Sequence, residues 1–113
     1  MASAPLDESE FRRLAKAAFE RILDAFDAID VDDADVEYAG DVINIRYRGG
    51  ARAVVNTQGP ARQLWLAGEG RGWHFSYDAV TERWLSDKGT GEEIFATLSR
   101  ITRDATGKEL AFS

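Results

Sequence analysis

The chain has 113 residues and a mass of 12.5 kDa, the size of one domain, and its formal net charge is −6. A hydrophobic fraction of 44% with twelve aromatic residues is too rich for a disordered chain. The lack of cysteine and the presence of a single histidine, His74, exclude disulfides, thiolate nucleophiles, cysteine-ligated clusters and multi-histidine metal sites. No apolar run approaches the roughly 20 residues that span a bilayer. The acidic start Met1–Glu8 lacks the basic region of a signal peptide. The expectation is a soluble, cytoplasmic protein with one domain over residues 1–113.

In chain order, Phe11, Leu14, Ala18, Ile22, Phe26 and Ile29 recur at spacings of three and four, with Phe19 and Leu23 widening the stripe. That spacing predicts an amphipathic helix over about 7–29, capped by Asp7 or Ser9 and with Glu10 suited to the dipole of its first turn. Its polar face turns acidic toward the C-terminal end, where the helix dipole disfavours negative charge. Short runs rich in Val, Ile, Tyr, Trp and Phe follow, punctuated by glycine turns. They predict strands near 35–39, 42–47, 51–57, 62–67, 72–77 and 82–86. Thr90-Gly-Glu-Glu93 has the spacing of a capping box, opening a second helix through Ile94, Phe95, Leu98, Ile101 and Ala105 to Gly107. The tail Glu109–Phe112 could add an extended segment. With no room for helical crossovers between strands, the fold class is α+β. It should be a two-layer sandwich, an antiparallel sheet of about six strands with both terminal helices on one face.

The charge is unevenly placed. Residues 1–40 hold eleven acids and four bases, whereas residues 41–113 hold nine acids and ten bases. Seven of those acids, Asp24, Asp27, Asp30, Asp32, Asp33, Asp35 and Glu37, fall in fourteen residues that contain no Lys or Arg. This sign is wrong for nucleic acid, whose phosphates are bound through Lys and Arg. Three readings of the run stay open: a solvated face, a weak cation site, or a docking surface for a basic protein. Carboxylates are hard oxygen donors suited to Fe3+, Mn2+, Ca2+, Mg2+ and, more weakly, Fe2+. Helical neighbours three or four apart, with Cβ atoms about 5–6 Å apart, can share a hydrated ion without forming a closed cage.

Other motifs fall away on inspection. Gly68-Glu-Gly-Arg-Gly72 leads into a strand and lacks the Lys-Ser/Thr of a phosphate loop, so it reads as a hairpin turn. Asp87-Lys-Gly-Thr-Gly91 has the wrong order for the aspartyl-phosphate sequence of transport ATPases. An EF-hand alignment from Asp30 puts Ala34 at a ligand position and Asp35 where glycine is needed. His74, with no partner in a nucleophilic order, reads as a sheet-surface residue, and Trp65 and Trp84 read by default as core aromatics.

The run Val55-Asn-Thr-Gln-Gly-Pro-Ala-Arg-Gln-Leu-Trp-Leu-Ala67 closely resembles the signature of the frataxin family, Asn-x-Gln-x-Pro-x-x-Gln-Ile/Leu/Val-Trp-Leu. Ser9-Glu-Phe at the start of helix one, the acids at its end, Trp73-His-Phe75 and the Gly-Glu-x-hydrophobic-Phe of 91–95 extend the resemblance to residues 9–112, in the short bacterial CyaY-type form. The resemblance implies a frataxin-like fold and an iron-binding accessory protein of iron–sulfur cluster assembly, not an enzyme and with no cluster of its own. It implies weakly bound iron, Fe2+ or Fe3+, on an acidic ridge that matches Glu20, Asp24, Asp27, Asp30, Asp32, Asp33, Asp35 and Glu37. Leu23 and Ala28 stand where some bacterial relatives carry acids. The implied partners are a cysteine desulfurase, met by the ridge through Asp24 and Asp27, and the iron–sulfur scaffold protein, met by Asn56, Gln58, Gln63 and Trp65. That assignment moves Trp65 to an exposed face. No nucleic acid or membrane partner is expected, and the protein should be a monomer without metal. The alternative is a ferroxidase or iron store oxidising Fe2+ at the acidic patch; the lack of a Glu-x-x-His pair argues against it.

Overall fold

A computed structural model describes residues 6–112, so Met1–Pro5 of the acidic N-terminal segment, and Ser113, lie outside the described residues. Helix α1 runs Glu8–Asp27 and begins where Asp7, in extended conformation, accepts the Glu10 amide at 2.7 Å. Of the two expected caps, Asp7 is the one used. Glu8 and Glu10 favour the positive end of the helix dipole and pair with Arg12 and Arg13 one turn on. The helix stops at Ala28. There Asp30 takes over the backbone donors, its carbonyl accepting from Asp33 and Ala34 at 2.9 and 3.1 Å and its carboxylate from the Asp32 amide at 2.8 Å.

Six strands follow: β1 Ala34–Ala39, β2 Val42–Tyr47, β3 Arg52–Gln58, β4 Gln63–Gly68, β5 Arg71–Asp78 and β6 Arg83–Ser86. They form one antiparallel sheet in the order β1-β2-β3-β4-β5-β6, a meander in which every strand pairs with its chain neighbour. Helix α2, Ile94–Thr106, closes the fold. The α+β two-layer expectation is met, with every strand boundary within one residue of its predicted place. The predicted hairpin at 68–72 is a two-residue turn, Glu69-Gly70, with φ of +55° and +70°, the left-handed pair that matches the twist of the flanking strands.

The capping box is displaced. Gly91 sits at φ +79° and Glu93 is held extended by a bridge to Leu85, so no helical turn can begin at Thr90. Glu93 is itself the cap, its carboxylate accepting the Phe95 and Ala96 amides at 3.0 and 2.9 Å. The C-terminal signal holds: Gly107, at φ +74°, ends α2. Residues 108–112 add no strand; Leu110 is buried and Phe112 leans on Phe95, with ring centroids 4.7 Å apart.

The core lies between the helices and one sheet face. Ile43, Ile45, Val55, Leu64, Leu66 and Phe75 meet Ile22, Ile94 and Leu98 from the helices, all at most 1% exposed. Each fully buried aliphatic side chain of this kind contributes about 1.5–3 kcal/mol. Phe11 on α1 and Trp84 on β6 join edge to face at 6.0 Å, tying the first element to the last strand. Trp84 is a core residue, as expected. Gly68 lets Ile101 approach β4, because a Cβ there would stand 3.3 Å from the Ile101 Cδ1. Tyr47 and Thr102 share a buried hydrogen bond of 2.7 Å, and among the described residues no buried side-chain nitrogen or oxygen lacks a partner.

Candidate functional site

Two surfaces carry the residues singled out in the sequence. The first begins on α1. Glu20, Asp24 and Asp27 stand at i, i+4 and i+7, all exposed, and the last turn holds no basic residue. The turn of 28–33 adds exposed Asp30 and Asp32 and half-buried Asp33, and β1 adds Asp35 and Glu37. The helix side of β1 is Ala34, Val36 and Tyr38. Asp35 and Glu37 therefore alternate onto the opposite, open face of the sheet, at its edge. The acidic surface thus wraps around the edge strand, from one layer to the other.

Two of the eight acids have counter-ions that the local sequence does not reveal. Arg46 of β2 pairs with Glu37 at 2.8 Å, and Arg48 in the following turn lies 3.7 Å from Asp33. None of the ion pairs joining described residues involves Glu20, Asp24, Asp27, Asp30, Asp32 or Asp35. Of these six, Asp30 is tied into its own turn, and the other five carboxylates are exposed to solvent. Among the described residues no three His, Asp or Glu side chains gather closely enough to hold one metal ion. A cation at this surface would be shared by neighbouring carboxylates and would keep much of its water.

Asn56, Gln58, Gln63 and Trp65 sit on the second surface, the open face of the sheet, in alternate rungs that are neighbours on that face: Asn56 opposite Trp65 and Gln58 opposite Gln63. Trp65 is half-buried there, so the default core reading is corrected: its position in the alternation faces away from the helices. Its indole N–H donates to Gln63 Oε1 at 2.9 Å. The Gln63 amide in turn donates to Ser76 Oγ and to Asp87 Oδ2, each at 3.1 Å. His74 lies on the Trp65 ring with centroids 4.2 Å apart and planes within 14°, and its Nδ1 is 3.7 Å from Asp87 Oδ2. The four groups close a loop in which each side chain limits the rotamers of the next.

His74 is thus a sheet-surface residue, as its position suggested, but its part in this loop was not anticipated. The two-residue turn at Glu69-Gly70 is the signal that would have found it, because that turn pairs residue 65 with residue 74. Asp87 and Val31 were also missed. Val31 is an aliphatic side chain, 66% exposed, in the middle of the acidic turn.

Comparison with known proteins fits this geometry. Residues 4–108 match a family model described as a frataxin-like domain. The iron-sulfur cluster assembly protein CyaY of Pseudomonas aeruginosa is 36% identical over 107 residues, covering 95% of this chain and 97% of that protein. The protein of the same name from Cupriavidus taiwanensis is 38% identical over 111 residues, covering 96% and 97%. Among solved structures, frataxin from Psychromonas ingrahamii superposes with a TM-score of 0.85 at 24% identity, covering 96% of this chain and 99% of that one. Trimeric yeast frataxin complexed with ferrous iron gives a TM-score of 0.70 at 23% identity, covering 95% and 92%. These two structures share the fold.

Proposed function

Because this chain belongs to the frataxin family, in its bacterial CyaY form, we propose that it is an accessory protein of iron–sulfur cluster assembly. In this reading it acts in the cytoplasm, as a monomer without metal, and regulates assembly by docking on the cysteine desulfurase and its scaffold partner rather than by catalysing a reaction. The names of its bacterial relatives support the pathway. No described helix is long and apolar enough to cross a membrane.

One observation carries the docking: Glu20, Asp24, Asp27, Asp32 and Asp35, on α1, its following turn and β1, are all exposed and form no ion pair among the described residues. Like charges so placed cost a few tenths of a kcal/mol per pair, and a basic partner removes that cost on binding. Asp24 and Asp27 would meet the desulfurase, and Asn56, Gln58, Gln63 and Trp65 would meet the scaffold protein. Iron would be cargo on the carboxylates of Glu20, Asp24, Asp27, Asp30, Asp32, Asp33, Asp35 and Glu37. These hard oxygen donors suit Fe2+ weakly and Fe3+ better, and the open spacing suits rapid exchange.

The test is the affinity for purified cysteine desulfurase measured across a salt series. The expected result is a dissociation constant that rises steeply with added salt. An affinity indifferent to salt would overturn electrostatic docking. Anaerobic Fe2+ titration followed by amide NMR should broaden residues 20–37 and spare Asn56, Gln58, Gln63 and Trp65; broadening centred elsewhere would remove iron from this surface.

A further inference from the structure

Between the C-terminal half of α1 and the outer strand β1 runs a crevice of about 270 Å³. Leu23, Phe26 and Ile29 line it from the helix side, and Val36 and Tyr38 from the strand. Asp27 and Asp35, both exposed and neither in an ion pair with a described residue, line it as well, Asp27 from the helix and Asp35 at the edge of β1, with its side chain on the strand's far face. Val31 stands beside it, held there by the turn that Asp30 organises. The acidic surface therefore has an apolar centre.

We infer that this crevice seats a segment of a protein partner in which an aliphatic or aromatic side chain is flanked by arginine or lysine. The inference rests on the reading of the acidic surface as a docking surface, and it names the chemistry of what docks. Charge complementarity selects the occupant: Asp27 and Asp35 repel an anion, and a hydrated metal ion gains nothing from an apolar floor. The volume falls below the roughly 300–1,000 Å³ typical of cofactor and substrate pockets, and suits one or two side chains. A lysine or arginine stem can lie along Leu23 and Val36 while its head reaches the carboxylates. An apolar anchor inside a charged rim is also the usual anatomy of a binding hot spot. Val31 would close over the inserted side chain.

Two peptides test this directly, acetyl-Arg-Leu-Arg-Leu-Arg-amide and acetyl-Arg-Gly-Arg-Gly-Arg-amide, titrated into the full chain with 13C-labelled Ile, Leu and Val methyl groups. The leucine peptide is expected to shift the methyl resonances of Leu23, Ile29, Val31 and Val36, and the glycine peptide to move only amides of the acidic residues. Val31→Ser, an exposed substitution, should weaken the leucine peptide about fivefold to tenfold, the order expected for one lost aliphatic contact, and leave the glycine peptide unchanged. Methyl shifts that are equal for both peptides or absent, or a Val31→Ser variant that binds the leucine peptide normally, would overturn the inference. The desulfurase salt series separates the two levels. Salt-dependent docking with a silent crevice sinks the inference and keeps the proposed function. A crevice that selects the leucine peptide without salt-dependent desulfurase binding does the reverse.

Discussion

The acidic surface and the open sheet face are both polar, yet they are built in opposite ways. On the open face, Trp65, Gln63, Asp87 and His74 satisfy one another through hydrogen bonds of 2.9 and 3.1 Å and a stacked ring pair. On α1 and its following turn, Glu20, Asp24, Asp27 and Asp32 are exposed and join no ion pair with a described residue. A network of the first kind fixes side chains before a partner arrives, which suits recognition by shape. A cluster of the second kind fixes a field, which suits fast association and tolerates exchange of individual residues.

Neutralising four acids together, Glu20→Gln, Asp24→Asn, Asp27→Asn and Asp32→Asn, breaks one side of this contrast and should have the largest effect. We expect desulfurase affinity to fall about a hundredfold, roughly 3 kcal/mol, with a flattened salt slope, whereas Trp65→Ala should leave the slope intact. Calorimetry across a salt series distinguishes the two.

Alkaline unfolding probes the core beneath the acidic end, where Phe26 and Tyr47 pack with ring centroids 6.5 Å apart. Burial pushes the Tyr47 phenol from its ordinary 10.0 up to about 12, against the opposing hydrogen bond from Thr102. Between those values the folded chain keeps a proton that the unfolded chain has lost. Stability is therefore full below pH 10 and falls as the pH rises toward 12. The loss should be on the order of 2–3 kcal/mol, read by denaturant titration, and Tyr47→Phe should remove most of it, leaving the smaller contribution of Tyr77, whose phenol is also pushed up by burial.

Smaller again is Gln63→Ala, which removes the acceptor of the Trp65 N–H and the link to Asp87. It should cost about 1 kcal/mol, a melting temperature lower by about 4–8 °C, with altered Trp65 and His74 side-chain resonances. The smallest effect has the opposite sign. Asp27→Asn alone relieves a negative charge at the negative end of the α1 dipole and should stabilise by about 0.3–1 kcal/mol. A lowered melting temperature would show that Asp27 has a structural role.

Much of the fold was legible because the alternation in β2 through β5 and the three-and-four spacing of α1 each specify one buried face. The start of the second helix was not, since the capping-box spacing is met at Thr90 while Gly91 at φ +79° and the Leu85–Glu93 bridge depend on the strand before it. The acidic cluster could be counted in the sequence, but its pairing with Arg46 and Arg48 could not, because those cations arrive across a sheet register. The crevice beside Val31 needed the spacing between two layers, which no linear pattern holds.

The meander order has a consequence for synthesis on the ribosome. Every strand pair is local, so the sheet can assemble as it emerges, with little loop entropy to overcome. Helix α1 is different: it is made first, but one of its anchors, Trp84, appears nearly sixty residues later. At about 5–20 residues per second the apolar stripe of Phe11, Phe19 and Phe26 waits several seconds for its complete sheet. During that interval the nascent chain presents an amphipathic helix with its apolar stripe uncovered, and synonymous codons that slow translation before Trp84 should lengthen that exposure.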